Sequence, residues 1–98
     1  MEFKYKVYAL VKKIPKRRIT TYKILAQKLK SSTRAIGQIL KRNTSKDVPC
    51  HRVVMSNGFV GGYHGKNGLT KIRMLKKEGI KIKNNQIQDF KKVLFYLD

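Results

Sequence analysis

Ninety-eight residues of 41% apolar content make one small domain, and no apolar run approaches the ~18 residues of a membrane-spanning helix. Lys plus Arg number 24 against 5 Asp plus Glu, a net charge of +19. That field repels itself and needs a polyanion: nucleic acid first, an anionic membrane surface second, with a merely solubilising lysine surface as the plain alternative. A single cysteine rules out an internal disulfide. Together with an N-terminus, "MEFKYKVYALVKK", that lacks a signal-peptide core, it implies a soluble cytoplasmic protein.

In "KVYALVKKI", Val7, Leu10, Val11 and Ile14 fall on one helical face, and Pro15 closes the helix. "RRITTYKILAQKL" offers Thr20 or Thr21 as N-cap for a second helix with Tyr22, Leu25, Ala26 and Leu29 inward. In "TRAIGQILKRN", Thr33 can cap a third, with Ile36, Ile39 and Leu40 apolar and Arg34, Gly37, Lys41, Arg42 and Asn43 off that stripe. Two short helices joined by a polar turn and rich in basic residues resemble a helix-turn-helix. A mid-helix glycine costs about 1 kcal/mol against alanine, so something approaches Gly37 closely. A neighbouring helix and a nucleic acid satisfy that equally.

"RVVMSNGFVGGY" predicts a hairpin through a Ser-Asn-Gly turn to Phe59 and Val60. Glycines 61, 62, 65 and 68 then predict a loop that must come near something. "LTKIRMLKKEG" predicts a helix with Leu69, Ile72 and Leu75 inward and Gly79 as its stop. "QIQDFKKVLFYLD" predicts a terminal helix with Ile87, Phe90, Leu94 and Leu97 on one face. No repeat, linker or second domain is visible.

The stretch "VPCHRVVMSNGFVGGYHG" holds the only cysteine and both histidines. By residue type alone Cys50 is a small buried hydrophobe. Against that stand Pro49, which pins the backbone, the basic helix pair upstream, and His51, which could activate the thiol through a water. Neighbouring side chains of an extended segment point to opposite faces, so direct contact is not implied. One Cys and two His are too few for a closed zinc site. Cysteine chemistry also needs an orienting acid. Of Glu2, Asp47, Glu78, Asp89 and Asp98, Glu78 just before Gly79 is the candidate, although spacing alone favours a solvated helix charge.

"PCHRVV", with "TTYKILAQKL" and "TRAIGQILKRN" before it and "SNGFVGGYHG" and "KKEG" after it, resembles the DNA-binding, active-site domain of the O6-alkylguanine-DNA alkyltransferases over residues 4 to 83. The resemblance implies a mainly α fold with a small β-hairpin, a winged-helix-like helix-turn-helix of the alkyltransferase C-terminal type. It implies a single-turnover transfer of an alkyl group from O6 of a flipped guanine to Cys50, with O4-alkylthymine as a further substrate. His51 would act through a water and Glu78 would orient it. Asn43 would brace the active-site turn, and Tyr22 would donate to the base and push on the 3' phosphate. Arg34 would be the finger that replaces the lost base. Ala35 and Gly37 would be small because the helix enters the minor groove, with Thr21, Lys41 and Arg42 on the same DNA surface. Leu40, Val53, Val60, Gly61, Tyr63, His64, Gly65 and Lys71 would line or border the base pocket, the carbonyls of Cys50 and Val53 reading the exocyclic amine.

On this resemblance the partner is double-stranded DNA carrying O6-alkylguanine. Neither cofactor nor metal nor membrane is expected, and the protein is a monomer associated with the nucleoid through DNA. Three departures stand out: the family's usual N-terminal domain is expected to be absent, His64 replaces a small or different polar residue, and one extra residue lies between Gly65 and Lys71. The alkyltransferase-like branch, which lacks that domain and replaces the cysteine, binds lesions without transfer and flags them for excision repair. It is the alternative reading.

Overall fold

Two apolar clusters share the chain, and a pair of two-residue strands divides them. The computed structural model describes residues 2–61 and 68–97. In order these form α1 (Phe3–Val11), β1 (Thr20–Thr21), α2 (Tyr22–Lys28), α3 (Thr33–Lys41), a 3-10 turn (Cys50–Arg52), β2 (Val53–Val54), α4 (Leu69–Lys77), β3 (Ile82–Lys83), β4 (Gln86–Ile87) and the one-turn α5 (Phe90–Val93). Val7 and Val11 of α1, Ile14, Leu25, Ala26, Ile36, Leu40, Cys50, Val53 and Leu97 close the first cluster. Ile19, Val54, Val60, Leu75, Ile80, Ile87 and Leu94 close the second. β1 and β2 pair in parallel, Thr20 with Val53 and Thr21 with Val54. Successive strand side chains face opposite ways, so Val53 enters one cluster and Val54 the other.

The helix pair forms as its periodicity predicts. Thr21, extended at φ −120°, accepts from the Ile24 amide at 3.0 Å and so caps α2. The cap of α3 is Ser32, whose hydroxyl accepts from the Ala35 amide at 3.1 Å, so the expected cap Thr33 is instead the first helical residue. Between the helices Lys30 takes a left-handed φ of 54°, and the Ser31 amide donates to the Ala26 carbonyl at 2.8 Å.

α4 ends where glycine demands. Gly79 sits at φ +100°; its amide donates to the Lys76 carbonyl at 3.0 Å, and the Ile80 amide reaches back to the Leu75 carbonyl at 3.0 Å. This is the Schellman closure, with Ile80 and Leu75 in one apolar cluster. At the other end of α4, Leu69 is 57% exposed and not inward as its spacing suggested. A side chain on Gly68 would clash with the Gly61 carbonyl, so glycine lets these two positions approach closely.

Two expectations fail for the same reason. Val53–Val54 does not fold back as the first arm of a hairpin. The Ser56–Gly58 turn is present, the Met55 amide donating to the Phe59 carbonyl at 2.9 Å, but the strand pairs with Thr20–Thr21, far away in sequence. The hairpin lies further on, β3 against β4, with Asn84 and Asn85 both left-handed in its turn. Phe59 bridges to Gln86 of that hairpin.

Nor do residues 86–97 form one helix. β4, a left-handed Asp89, one turn of α5 and an extended strap follow each other, and Leu94 bridges in parallel to Ile19. The strap is bonded on both sides of Ile19, whose amide donates to Val93 at 2.9 Å and whose carbonyl accepts from Phe95 at 2.7 Å. Ile87 and Leu94 enter one cluster and Leu97 the other, which a straight helix could not do. Burying Leu94 and Leu97 contributes about 1.5–3 kcal/mol each, so the strap is part of the core.

Two glycine substitutions test these assignments with opposite signs. A Cβ on Gly37 meets nothing within 4 Å, so Gly37→Ala stabilises the fold by about 0.5–1 kcal/mol. Gly79→Ala, forced into a left-handed conformation, destabilises it by about 1–2 kcal/mol. Urea unfolding measures both, and a Gly37→Ala variant less stable than the parent would mean that the chain itself fills that space.

Candidate active site and nucleic-acid interface

The 3-10 turn brings Cys50 and His51 onto the C-terminal end of α4. Because Gly79 stops that helix one residue later, Glu78 is its C-cap and points back at the turn. His51 Nε2 lies 2.9 Å from Glu78 Oε2. A carboxylate only accepts, so Nε2 carries the proton in this pair and Nδ1 keeps its lone pair. Arg52 grips the same carboxylate, Nε to Oε1 at 2.9 Å and Nη2 to Oε2 at 2.7 Å, while Nη1 donates to the Ile14 carbonyl at 2.8 Å. Burial alone would raise the Glu78 pKa, but the hydrogen bonds from Arg52 and His51 outweigh it, and it is held below the ordinary value. Burial lowers that of His51, which the Glu78 bond only partly offsets. The ring is therefore neutral at neutral pH. The structure brings Glu78 against His51, and the Glu78 side chain is 13% exposed, not a solvated helix charge.

Asn43, just past α3, is 4% exposed. Its amide nitrogen reaches the Ser45 carbonyl at 3.2 Å, the Val48 carbonyl at 3.3 Å and Cys50 Sγ at 3.6 Å, and its oxygen accepts from the Ser45 amide at 3.0 Å. One side chain thus ties the helix end, the 43–48 turn and the sulfur together. Cys50 is 6% exposed, within the first cluster.

Lys71 is the unexpected burial. It is 1% exposed, with Nζ 3.5 Å from the Tyr22 hydroxyl and 5.5 Å from the centre of the Tyr22 ring. Burial pulls its pKa from 10.5 to about 8, against the opposing pull of Cys50. That of Tyr22 is raised, by burial and by the negative charge Cys50 can carry.

Tyr22 also borders a groove of about 370 Å³ with Lys23, Thr33, Arg34, Gly37, Met55, Ser56 and Gly61. Arg34 is exposed and Ala35 half-buried beside it. With nothing within 4 Å of a Cβ on Gly37, no neighbouring helix accounts for that glycine, and its open side faces the groove.

Other candidates divide. Leu40, Val53 and Val60 are 4%, 0% and 0% exposed and stand behind the surface. Gly61 borders the groove. Tyr63, His64 and Gly65 lie outside the described residues. Thr21 is 3% exposed and its hydroxyl is occupied by the cap. Arg42 is exposed at the end of α3, whereas Lys41 borders a different hollow, with Asn43 and His51. Arg52 was missed as a site residue, although its place in "PCHRVV" beside the candidate histidine, in a chain with five acids, was the signal.

A helix-turn-helix domain whose second helix borders an open groove, backed by a Cys-His-Glu constellation, is the class that fold and site define. The sequence model of the 6-O-methylguanine DNA methyltransferase DNA-binding domain matches residues 2–80, and the chain belongs to that family. A methylated-DNA--protein-cysteine methyltransferase of Saccharolobus islandicus is 41% identical over 82% of this chain and 52% of its own length. A bifunctional methyltransferase/endonuclease of Picrophilus torridus is 41% identical over 91% of this chain and 30% of its own. The chain thus spans about a third to a half of these relatives. Among solved structures, O6-methylguanine-DNA methyltransferase from Pyrococcus kodakaraensis matches with a TM-score of 0.70 at 40% identity, over 82% of this chain and 47% of that one. Schizosaccharomyces pombe Atl1, solved with damaged DNA containing O6-carboxymethylguanine, matches with a TM-score of 0.83 at 25% identity, over 95% and 94%. No helix among the described residues is long and apolar enough to cross a membrane.

The Lys71 burial carries a pH dependence. The unfolded chain holds that proton up to 10.5 and the folded one only to about 8, so stability rises with pH between the two values and the cost is complete below about 8. Lys71→Met therefore stabilises the fold at pH 7, by up to ~3 kcal/mol, and the gain fades toward pH 10.5. Thermal unfolding across that range measures it; a gain independent of pH would show that Lys71 is not buried as a charge.

Proposed function

We propose that this chain repairs DNA by taking the alkyl group from O6 of guanine onto Cys50, once per molecule. The observation that carries this reading is the arrangement around Cys50: a sulfur braced by Asn43 at 3.6 Å, followed directly by a neutral His51 held by Glu78 at 2.9 Å. His51 takes the thiol proton on Nδ1 through a water. The sulfur attacks the alkyl carbon, the S–C bond forms as the C–O6 bond breaks, and the electron pair leaves with the guanine. Tyr22 donates to the base as it takes up that charge, with Lys71 beside the hydroxyl. Removing the alkyl group would require breaking the S–C bond of an unactivated thioether with the Cys50 thiolate as leaving group, so the protein is consumed.

An O6-alkylguanine stacked in a duplex cannot reach a sulfur that is 6% exposed, so the nucleotide must be extruded, at a cost of a few kcal/mol that a poorly paired base lowers. Arg34, which borders the same groove as Gly37, enters the vacated stack in this reading; its support is that a helix without a side chain at position 37 can lie deep in a groove. The net charge of +19 supplies affinity for phosphates and makes it salt-dependent.

The second reading is lesion binding without transfer. It is favoured by the likeness to Atl1 over nearly the whole of both chains, and opposed by Cys50 itself. Incubation with an oligonucleotide carrying O6-methylguanine separates the two: intact mass gains one methyl, located on Cys50 by peptide mapping, and Cys50→Ala gains none. Tight binding with no mass change would leave only the lesion-binding reading.

Arg34→Ala should slow transfer in duplex at least tenfold more than in single strands, because it acts on extrusion and not on the chemistry. Single-turnover rates on the two substrates measure this, and equal losses would remove the finger role.

A further inference from the structure

Beside His51 and Glu78, two hollows meet at Met74. One, of about 650 Å³, is bordered by Lys41, Thr44, Ser45, Lys46, His51 and Met74. The other, of about 350 Å³, is bordered by Lys16, Met74, Lys77 and Glu78. Neither shares a residue with the groove of Tyr22, Arg34 and Gly37. Lys16, Lys46 and Lys77 are exposed. Among the described residues the only carboxylate bordering either hollow is Glu78, and both its oxygens are already engaged by Arg52 and His51. Four lysines border the two hollows, with Asp47 exposed beside Lys46, and the Thr44 and Ser45 hydroxyls offer further donors. A concave lining of lysines and hydroxyls around Met74 suits a chain of phosphates; among the described residues, the basic side chains that border the lesion groove are Lys23 and Arg34.

The geometry points to a second nucleic-acid groove at these hollows, one that takes the phosphate backbone of another DNA segment while α3 engages the first. An acidic protein surface would meet the same lysines. DNA is favoured because the two hollows join at Met74 into one lysine-bordered surface, and because a protein already seated on one duplex meets neighbouring backbone at high local concentration. The inference needs only that the α3 groove binds DNA, not that alkyl transfer follows.

Native mass spectrometry at low salt, with an unmodified duplex too short to reach both grooves, reads the stoichiometry. Wild type is expected to bind two duplexes. The variant Lys16→Gln/Lys46→Gln/Lys77→Gln, which changes only exposed side chains, is expected to bind one, as is Arg34→Glu. In the Arg34→Glu complex the His51 ring resonance should move on addition of DNA, and it should stay put when the three lysines are also replaced. A wild type that binds only one duplex, a triple variant that still binds two, or a His51 resonance that shifts with poly-glutamate and not with DNA would each overturn the proposal. Loss of all duplex binding in Arg34→Glu with one duplex retained by the triple variant would overturn it too, and would leave the repair reading intact.

Discussion

The pairing of Thr20–Thr21 with Val53–Val54 is only two residues long, yet the site depends on it. Thr21 is at once a strand residue and the cap of α2, so the register that joins it to Val54 also places Tyr22, the first residue of that helix. Val53 follows the Cys50–Arg52 turn directly. A slip by one residue would exchange the faces of Val53 and Val54, pull each from its cluster, and move the cysteine relative to the tyrosine. The strap of residues 93–95 reinforces the same point by bonding to Ile19, the residue before the strand, on both its amide and its carbonyl.

That dependence explains what the sequence disclosed and what it hid. Helical periodicity is local, so α1 to α4 were legible, as were the Thr21 cap and the Gly79 stop, each of which works through a hydrogen bond within a few residues. The partner of Val53–Val54 is not local. "VVMSNGFV" has the composition of a hairpin, and its turn forms, but the strand is taken by a threonine pair already in place, and the downstream arm is taken by residues 85–87. In the tail, Ile87, Phe90, Leu94 and Leu97 keep helical spacing by coincidence. The spacing cannot show that Ile87 and Leu97 serve different clusters, which is what breaks the helix, nor that Asn84, Asn85 and Asp89 adopt left-handed turns.

The site was legible in its members and not in its wiring. Cys50, His51 and Glu78 were candidates from what a thiol site needs, and Asn43 joined them through the resemblance. Their contacts depend on a 3-10 turn, where adjacent residues do not alternate as they would in a strand, and on a helix end whose position glycine decides. Arg52 was hidden in plain view. Its place beside the candidate histidine was a weak signal among many basic residues, and the structure shows what it does: it donates three hydrogen bonds, two to the acid that holds the histidine and one to Ile14 after α1.

Stability alone would not choose these residues. Glu78 caps the C-terminal end of α4, where the helix dipole disfavours a negative charge, and a half-buried ion pair recovers little more than its desolvation. Arg52 offsets the first cost and adds the link to Ile14, so that removing either partner would strand the other. Lys71 is costlier still, a cation almost wholly enclosed beside a tyrosine. Gly37 forgoes alanine's propensity with nothing among the described residues to require it. These three expenses fall at one candidate site, around the histidine, the tyrosine and the open helix face. Left-handed residues elsewhere, such as Lys30, Asn84 and Asn85, serve turns, whereas these costs serve no turn or core and are explained by what the site must hold: an acid fixed against a neutral histidine, a cation beside a phenol, and a helix face bare enough for a backbone to approach.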